Sequence, residues 1–268
     1  MTVKLLDRRC GSSIDMRIIR GLLIFLLPVV CFGQLPVIAS KKYSWVTPTE
    51  ESQTNLKASI IFEGAAHDME YIQMSANTLG SNDKITMRVP YNEEHLLLVK
   101  EGKLSITIQD KTWSVGAGSI ALIVRGEDFK LQKVGDDSCN FYLMKYRSKL
   151  PINKTAASEG SIVKNWDEIV FKPHDRGGIR NYFEKATAMS KRFEMHVTTL
   201  NEGIKSHEPH THRAEEIVLI IDNKTEMQIG EKFYKGGTGD IYYLGSNVPH
   251  AIQNIGTGTC TYFAFQFE

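Results

Sequence analysis

The sequence predicts an all-β chain made of two copies of one closed-sheet unit in tandem. Three observations point there. The first is an internal repeat at one offset: Trp45 recurs as Trp166, 121 residues on, and Phe62-Glu63, Thr78-Leu79, Gly116, Gly118 and Cys139 recur as Phe183-Glu184, Thr199-Leu200, Gly237, Gly239 and Cys260 at the same spacing. The second is a strand–turn–strand pattern present in both copies. The third is a set of histidines and a glutamate whose spacing makes sense only if separate strands curl round to meet.

Taken in order, the chain opens with a leader. Met16, Arg17 and Arg20 form a basic start, residues 21–30 are apolar, and Cys31 and Gly33 are small residues before a cut at Gln34. The apolar run is too short for a comfortable membrane span. This reads as a secretory signal over about residues 16–33, with secretion or a periplasmic location as the expectation, and with Met16 as an alternative start. A lipoprotein cut before Cys31 is the weaker option, because Val30 is bulky where a small residue is wanted. Residues 1–33 are set aside as leader, 34–150 as the first barrel and 151–268 as the second.

In the first copy, Leu96, Leu97, Leu98 and Val99 are an apolar run, Gly102 is a turn, and Leu104, Ile106 and Ile108 alternate. The second copy answers with residues 217–221, then Asn223, then Met227 and Ile229. Gly116 and Gly118, like Gly236, Gly237 and Gly239, mark turns. Residues 148–165, polar and holding Pro151, Asn153 and Ser158, read as the connection. Trp45 and Trp166 open their units and are expected to pack one barrel on the other. Cys139 and Cys260 occupy equivalent positions in the two copies, so no bridge between them is expected, and each should pack as a small apolar residue.

The chemistry concentrates in residues 203–254. Alternate residues of a strand share a face, so His210, His212 and Glu216 should point one way and Thr211, Arg213 and Glu215 the other. Val218 and Ile220 continue the first face as barrel lining. His250 follows on a later strand, after a loop with Gly245, Asn247 and Pro249. His207 shares neither parity nor spacing and is expected to be a loop residue. Three imidazoles and a carboxylate suit one divalent ion; residue types do not choose among Zn, Fe, Mn and Ni. At the same offset the first copy holds Val89, Tyr91, His95 and Phe129, so that barrel is expected to lack metal. His95 is then a core histidine or a polar handle in a vestigial pocket. Tyr243 and Gln266 are candidate substrate-binding residues, with His196 and Arg192 as further polar groups of the pocket wall. The formal net charge of +1 offers no basic surface for nucleic acid.

These residues resemble the two cupin motifs, Gly-x5-His-x-His-x3-Glu-x6-Gly and Gly-x5-Pro-x-Gly-x2-His-x3-Asn. The first is met at His210, His212 and Glu216, with its opening Gly displaced to Gly203 and its closing Gly replaced by Asn223. The second is met at Gly239, His250 and Asn254, with Gly245 and Asn247 in place of its Pro and inner Gly. The resemblance implies two jelly-roll barrels, a bicupin, with a divalent ion held in the second. It also implies a small-molecule substrate, and a monomer or homodimer with no stable membrane span after the signal is removed. Cupins that open unsaturated uronates make an exported enzyme of sugar-acid breakdown the leading expectation. An Fe- or Mn-dependent dioxygenase or oxalate-type bicupin is the alternative, and a non-enzymatic binding or sensing module the third. The ligand order Glu-x-His-x3-His of ureidoglycine aminohydrolases is not present.

Overall fold

The computed structural model describes residues 35–51, 56–80, 84–135 and 137–268; the leader lies outside them. Short strands bounded by Gly and Asn turns leave the chain nearly all β. Four antiparallel sheets form two barrels. In the first, a seven-stranded sheet is centred on Glu94–Glu101, Cys139–Ser148 and Met69–Leu79, and a four-stranded sheet holds Lys84–Arg88, Asp128–Val134, Lys103–Ile108 and Lys111–Gly116. The second barrel repeats this plan. Its seven-stranded sheet is centred on Glu215–Asp222, Cys260–Phe267 and Phe193–Leu200, and its three-stranded sheet holds Lys232–Gly236, Thr225–Ile229 and His250–Asn254. Residue for residue, Glu94–Glu101 and Glu215–Asp222 stand at the repeat's offset.

The division at 150/151 does not coincide with the sheets. Lys41–Tyr43 pairs with Ile241–Leu244 of the second barrel, and Ile162–Lys164, within the expected connection, pairs with Ile120–Ile123 of the first. Each barrel thus receives an edge strand from the other's chain segment. The exchange caps two sheet edges that would otherwise be open to association.

The large sheets also face each other, and alternation along the central strands explains how. Leu96 and Leu98 join Ile217 and Leu219 in the shared core between barrels. Leu97 and Val99 point into the first lumen, Val218 and Ile220 into the second. The same parity splits two adjacent glutamates: Glu215 faces the interface and Glu216 the lumen, since one step along a strand reverses the face.

The interface is reciprocal. Glu94 accepts the backbone N–H groups of Ala188 and Met189 at 3.0 and 3.2 Å and the Tyr146 hydroxyl at 2.9 Å. Its counterpart Glu215 accepts the N–H of His67 at 2.9 Å. Tyr142 donates to the Gly239 carbonyl at 2.9 Å, and Tyr182 to that of Gly118 at 2.7 Å. Gly118, at φ +81°, has the Trp166 ring where a Cβ would stand, so both its conformation and its contact require glycine. Trp45 packs likewise beside Gly239, as the sequence led us to expect of these aromatics. Cys139 and Cys260 are free and buried in separate barrel cores. Among the described residues no helix is long and apolar enough to cross a membrane.

Candidate metal centre

His210, His212 and His250 form the one group of three or more such side chains, among the described residues, placed to share an ion; their ligand atoms all lie within 4.8 Å of one another. The route by which the chain assembles them differs from simple parity. Regular strand begins only at Glu215. His210 sits earlier, in an isolated antiparallel bridge with His250, their backbones exchanging hydrogen bonds of 3.2 and 3.1 Å. That bridge sets the two imidazoles side by side, with ring centroids 4.8 Å apart. His212 lies in the irregular stretch between, where its carbonyl accepts the Asn247 N–H at 2.9 Å. Asn247 and Asn223, standing where the motif has glycine, adopt φ of 59° and 69°. Asn tolerates this left-handed region, which explains why the turns survive the replacement.

The donor set fits a divalent cation. His250 is 4% exposed, and its Nδ1 donates to the Val248 carbonyl at 2.8 Å. His212 Nδ1 donates to the Ala214 carbonyl at 2.7 Å. Carbonyls only accept, so both rings carry a proton on Nδ1 and aim Nε2 at the centre, the orientation that outer partners impose on ligating histidines. His250 Nε2 is buried without a hydrogen-bond partner. Such an orphan calls for an explanation, and a cation supplies one. Glu216 Oε2 lies 3.0 Å from His212 Nε2 and 3.3 Å from His250 Nε2. Ligands bound at about 2.1 Å and about 90–110° to one another stand roughly 3.0–3.4 Å apart, so both separations match neighbouring ligands of one ion. The three imidazole donors lie within a wider limit of 4.8 Å, so sharing one ion would require the rings to close slightly.

Burial pushes the Glu216 carboxyl upward, but the hydrogen bond to His212 and the proximity of His250 outweigh it and hold it at about 2. The bond to Glu216 in turn raises His212, outweighing its desolvation. Burial and the neighbouring rings of His207, His250 and His212 lower His210. An ion held by His212 and Glu216 would compete with a proton shared between them.

A cavity of about 310 Å³ opens beside the donors. Its floor is apolar, with Val218, Met227, Ile252 and Ala264. Gln266 lines it, donating to Glu216 Oε2 at 3.3 Å while its own oxygen accepts from Arg192 at 3.3 Å. His196 lines it too, with Nδ1 donating to Glu194 at 2.9 Å, and Arg192 pairs with the same carboxylate. One sequence expectation is corrected. Tyr243 does not reach this cavity: it is 1% exposed in the inter-barrel core, donating to Glu215 at 2.8 Å. It lies on the strand face opposite the lumen. His207 does lie in a loop, but its ring stands 4.0 Å from that of His210 and lines the cavity. Spacing missed it because a loop, unlike a strand, has no face parity; His174, ending the strand Lys172–His174, and Arg176, in the turn after it, also line the cavity.

The corresponding lumen of the first barrel is different. Phe129 stands where the second has His250, and its ring meets His95 edge-on at 6.3 Å. His95 is a core histidine, 2% exposed, with Nε2 3.2 Å from Glu93. Val89 is buried and Tyr91 is turned out to solvent.

Comparison with known proteins agrees with this architecture. Residues 196–265 match the model of the cupin domain. The sequence comparison with curated proteins finds no match. Among solved structures, protein YlbA from E. coli superposes with a TM-score of 0.66 at 16% identity, over 88% of this chain and 95% of that one. AerE from Microcystis aeruginosa gives 0.64 at 16%, over 84% and 98%. The oxalate decarboxylase of Lactobacillus farciminis, solved as a formate complex, gives 0.63 at 12%, over 85% and 86%. At these identities the likeness is one of fold. The chain carries a cupin domain, and it folds as a bicupin.

Proposed function

We propose that the protein is an exported metal-dependent enzyme acting on a small oxygen-rich metabolite such as a sugar acid, with His210, His212, Glu216 and His250 holding one divalent ion. The observation that carries this reading is the buried, unpartnered Nε2 of His250, directed with two further imidazoles at the edge of a cavity of about 310 Å³. When bound, the ion supplies Lewis acidity toward a carbonyl, an enediolate oxygen or water. The remaining work falls to the chain. Gln266, its amide oriented by Arg192, fixes the position of Glu216. The apolar floor excludes water from the substrate's lower face. His196 Nε2 is free to accept a proton within the cavity, because Glu194 holds the ring's other nitrogen as donor.

The test has two parts. The protein should purify with a divalent metal and turn over at least one member of a panel of unsaturated uronates in that form; absence of turnover across the panel removes the sugar-acid version. Sequencing of protein recovered from its native compartment should give Gln34 as the first residue; an intact leader would remove export. The second reading, an oxalate-type bicupin, is favoured by the fold likeness to oxalate decarboxylases. Consumption of oxalate, or oxygen uptake dependent on Fe(II) or Mn, separates it from the first. If His210→Ala with His250→Ala lowers the melting temperature and abolishes no ligand or activity, the site is structural and the protein is a binding module.

A further inference from the structure

Four of the histidines lining the cavity fall into two kinds according to what holds Nδ1. In His250 and His207, as in the neighbouring His212, that nitrogen donates to a backbone carbonyl, and in His196 it donates to a carboxylate. Each of these rings, when neutral, presents Nε2 as a lone pair. His174 is the reverse. Its Nδ1 lies 3.2 Å from the backbone nitrogen of Arg176. A peptide N–H can only donate, so His174 Nδ1 carries the lone pair and Nε2 carries the hydrogen. His174 is therefore a donor toward the cavity it lines, where His196, His207 and His250 are acceptors.

Arg176 lines the same cavity. Its Nη1 donates to the Ser206 carbonyl at 2.6 Å, which pins the guanidinium at the lip. That partner is a neutral carbonyl, so the charge is not compensated there. Glu208, on the adjoining surface, is engaged with Lys205 at 3.5 Å. The lip thus joins a permanent cation to a histidine N–H, on a cavity whose other polar groups are poised for a metal.

We infer that Arg176 and His174 form a carboxylate-binding subsite, which takes the anionic end of a small acid while the rest of that molecule lies toward the metal ligands. This rests on the reading of the cavity as a substrate site and narrows its substrate to a carboxylate. A guanidinium beside one further N–H offers few, forked donors, which match the two oxygens of a planar carboxylate. The neighbouring cation, Lys205, is engaged with Glu208, so a single guanidinium supplies the lip's uncompensated charge, which suits a monoanionic carboxylate better than a dianionic phosphate.

Binding to the intact protein tests this, in metal-free and zinc-loaded forms, by calorimetry and by chemical-shift changes. The probes are acetate, lactate, malonate and D-galacturonate, with D-galactose as the uncharged counterpart of the last and inorganic phosphate as a rival anion. At least one carboxylate should bind, D-galacturonate more tightly than D-galactose, and Arg176→Met should weaken the carboxylate by about tenfold or more, equivalent to about 1.4 kcal/mol. Arg176→Lys should recover part of the loss, and His174→Phe should cost a few-fold. Metal content and melting temperature should not change, since both side chains are exposed and neither belongs to the histidine triad.

Three results would overturn the subsite: no carboxylate binding at about 20 mM, binding indifferent to Arg176→Met, or phosphate bound more tightly than every carboxylate and equally dependent on Arg176. Carboxylate binding through Arg176 without turnover would leave the subsite standing and defeat the enzymatic reading. Binding indifferent to Arg176 with turnover intact would do the opposite.

Discussion

The two barrels follow one plan strand for strand, yet equivalent lumen positions hold His250 in one and Phe129 in the other. Both residues are buried, and each stands beside the side chain at the Glu216 or His95 position. In the first barrel the partner is apolar and the lumen closes as packed core. In the second it is a nitrogen with no hydrogen bond, and the lumen opens as a cavity. The same scaffold therefore serves as filler or as site according to a few inward residues, while the outward face of the same strands is held constant by the interface. Glu94 and Glu215 show that constraint: each clamps the other barrel's backbone.

The largest expected effect tests the second barrel directly. His250→Ala removes the most buried of the imidazole donors and should weaken metal binding by more than about a hundredfold, measured by competition with a chromophoric chelator. Unchanged affinity would erase the distinction between the barrels. Next is the clamp. Glu94→Ala strands two backbone N–H groups and a tyrosine hydroxyl in a buried interface, and should cost roughly 3 kcal/mol in urea unfolding. A cost below about 0.5 kcal/mol, the range of ordinary surface substitutions, would show that the barrels do not depend on it. Gln266→Leu removes the amide that holds Glu216 and should lower metal affinity by roughly tenfold without loss of fold, as judged by circular dichroism.

Much of this was legible in the sequence. The repeat gave two barrels because corresponding strands keep one offset with no insertion between Trp45 and Cys139. The cluster of His210, His212 and His250 was legible because the motif residues are intact. What parity could not supply was the path between them. His210 and His212 precede the regular strand, so their meeting depends on a backbone bridge to a residue far along the chain. The exchanged edge strands Lys41–Tyr43 and Ile162–Lys164 are three residues each, too short to carry a periodic signal. Tyr243 was misplaced as a pocket residue because an aromatic phenol near a site can serve an interface as well as a pocket, and only register tells which.

The smallest expected effect is on pH. Burial raises the Glu94 carboxyl above its ordinary value of 4.5 despite the donors around it. The folded chain therefore holds that proton more tightly than the unfolded chain does. The stability it contributes is complete below 4.5 and declines as pH rises through the raised value. Urea midpoints taken between about pH 4 and pH 7 should fall less steeply, or rise more, for Glu94→Ala than for the natural protein. Parallel curves would show that Glu94 titrates as an ordinary carboxylate.

The central claim is best tested by titrating metal-free protein with Co²⁺ and following the visible absorption of the bound ion. The expected result is saturation at a single ion per chain, retained in Phe129→Ala and lost in the His210→Ala, His250→Ala double variant. Saturation unchanged in that double variant would contradict it, as would an equal second site abolished by altering the first barrel.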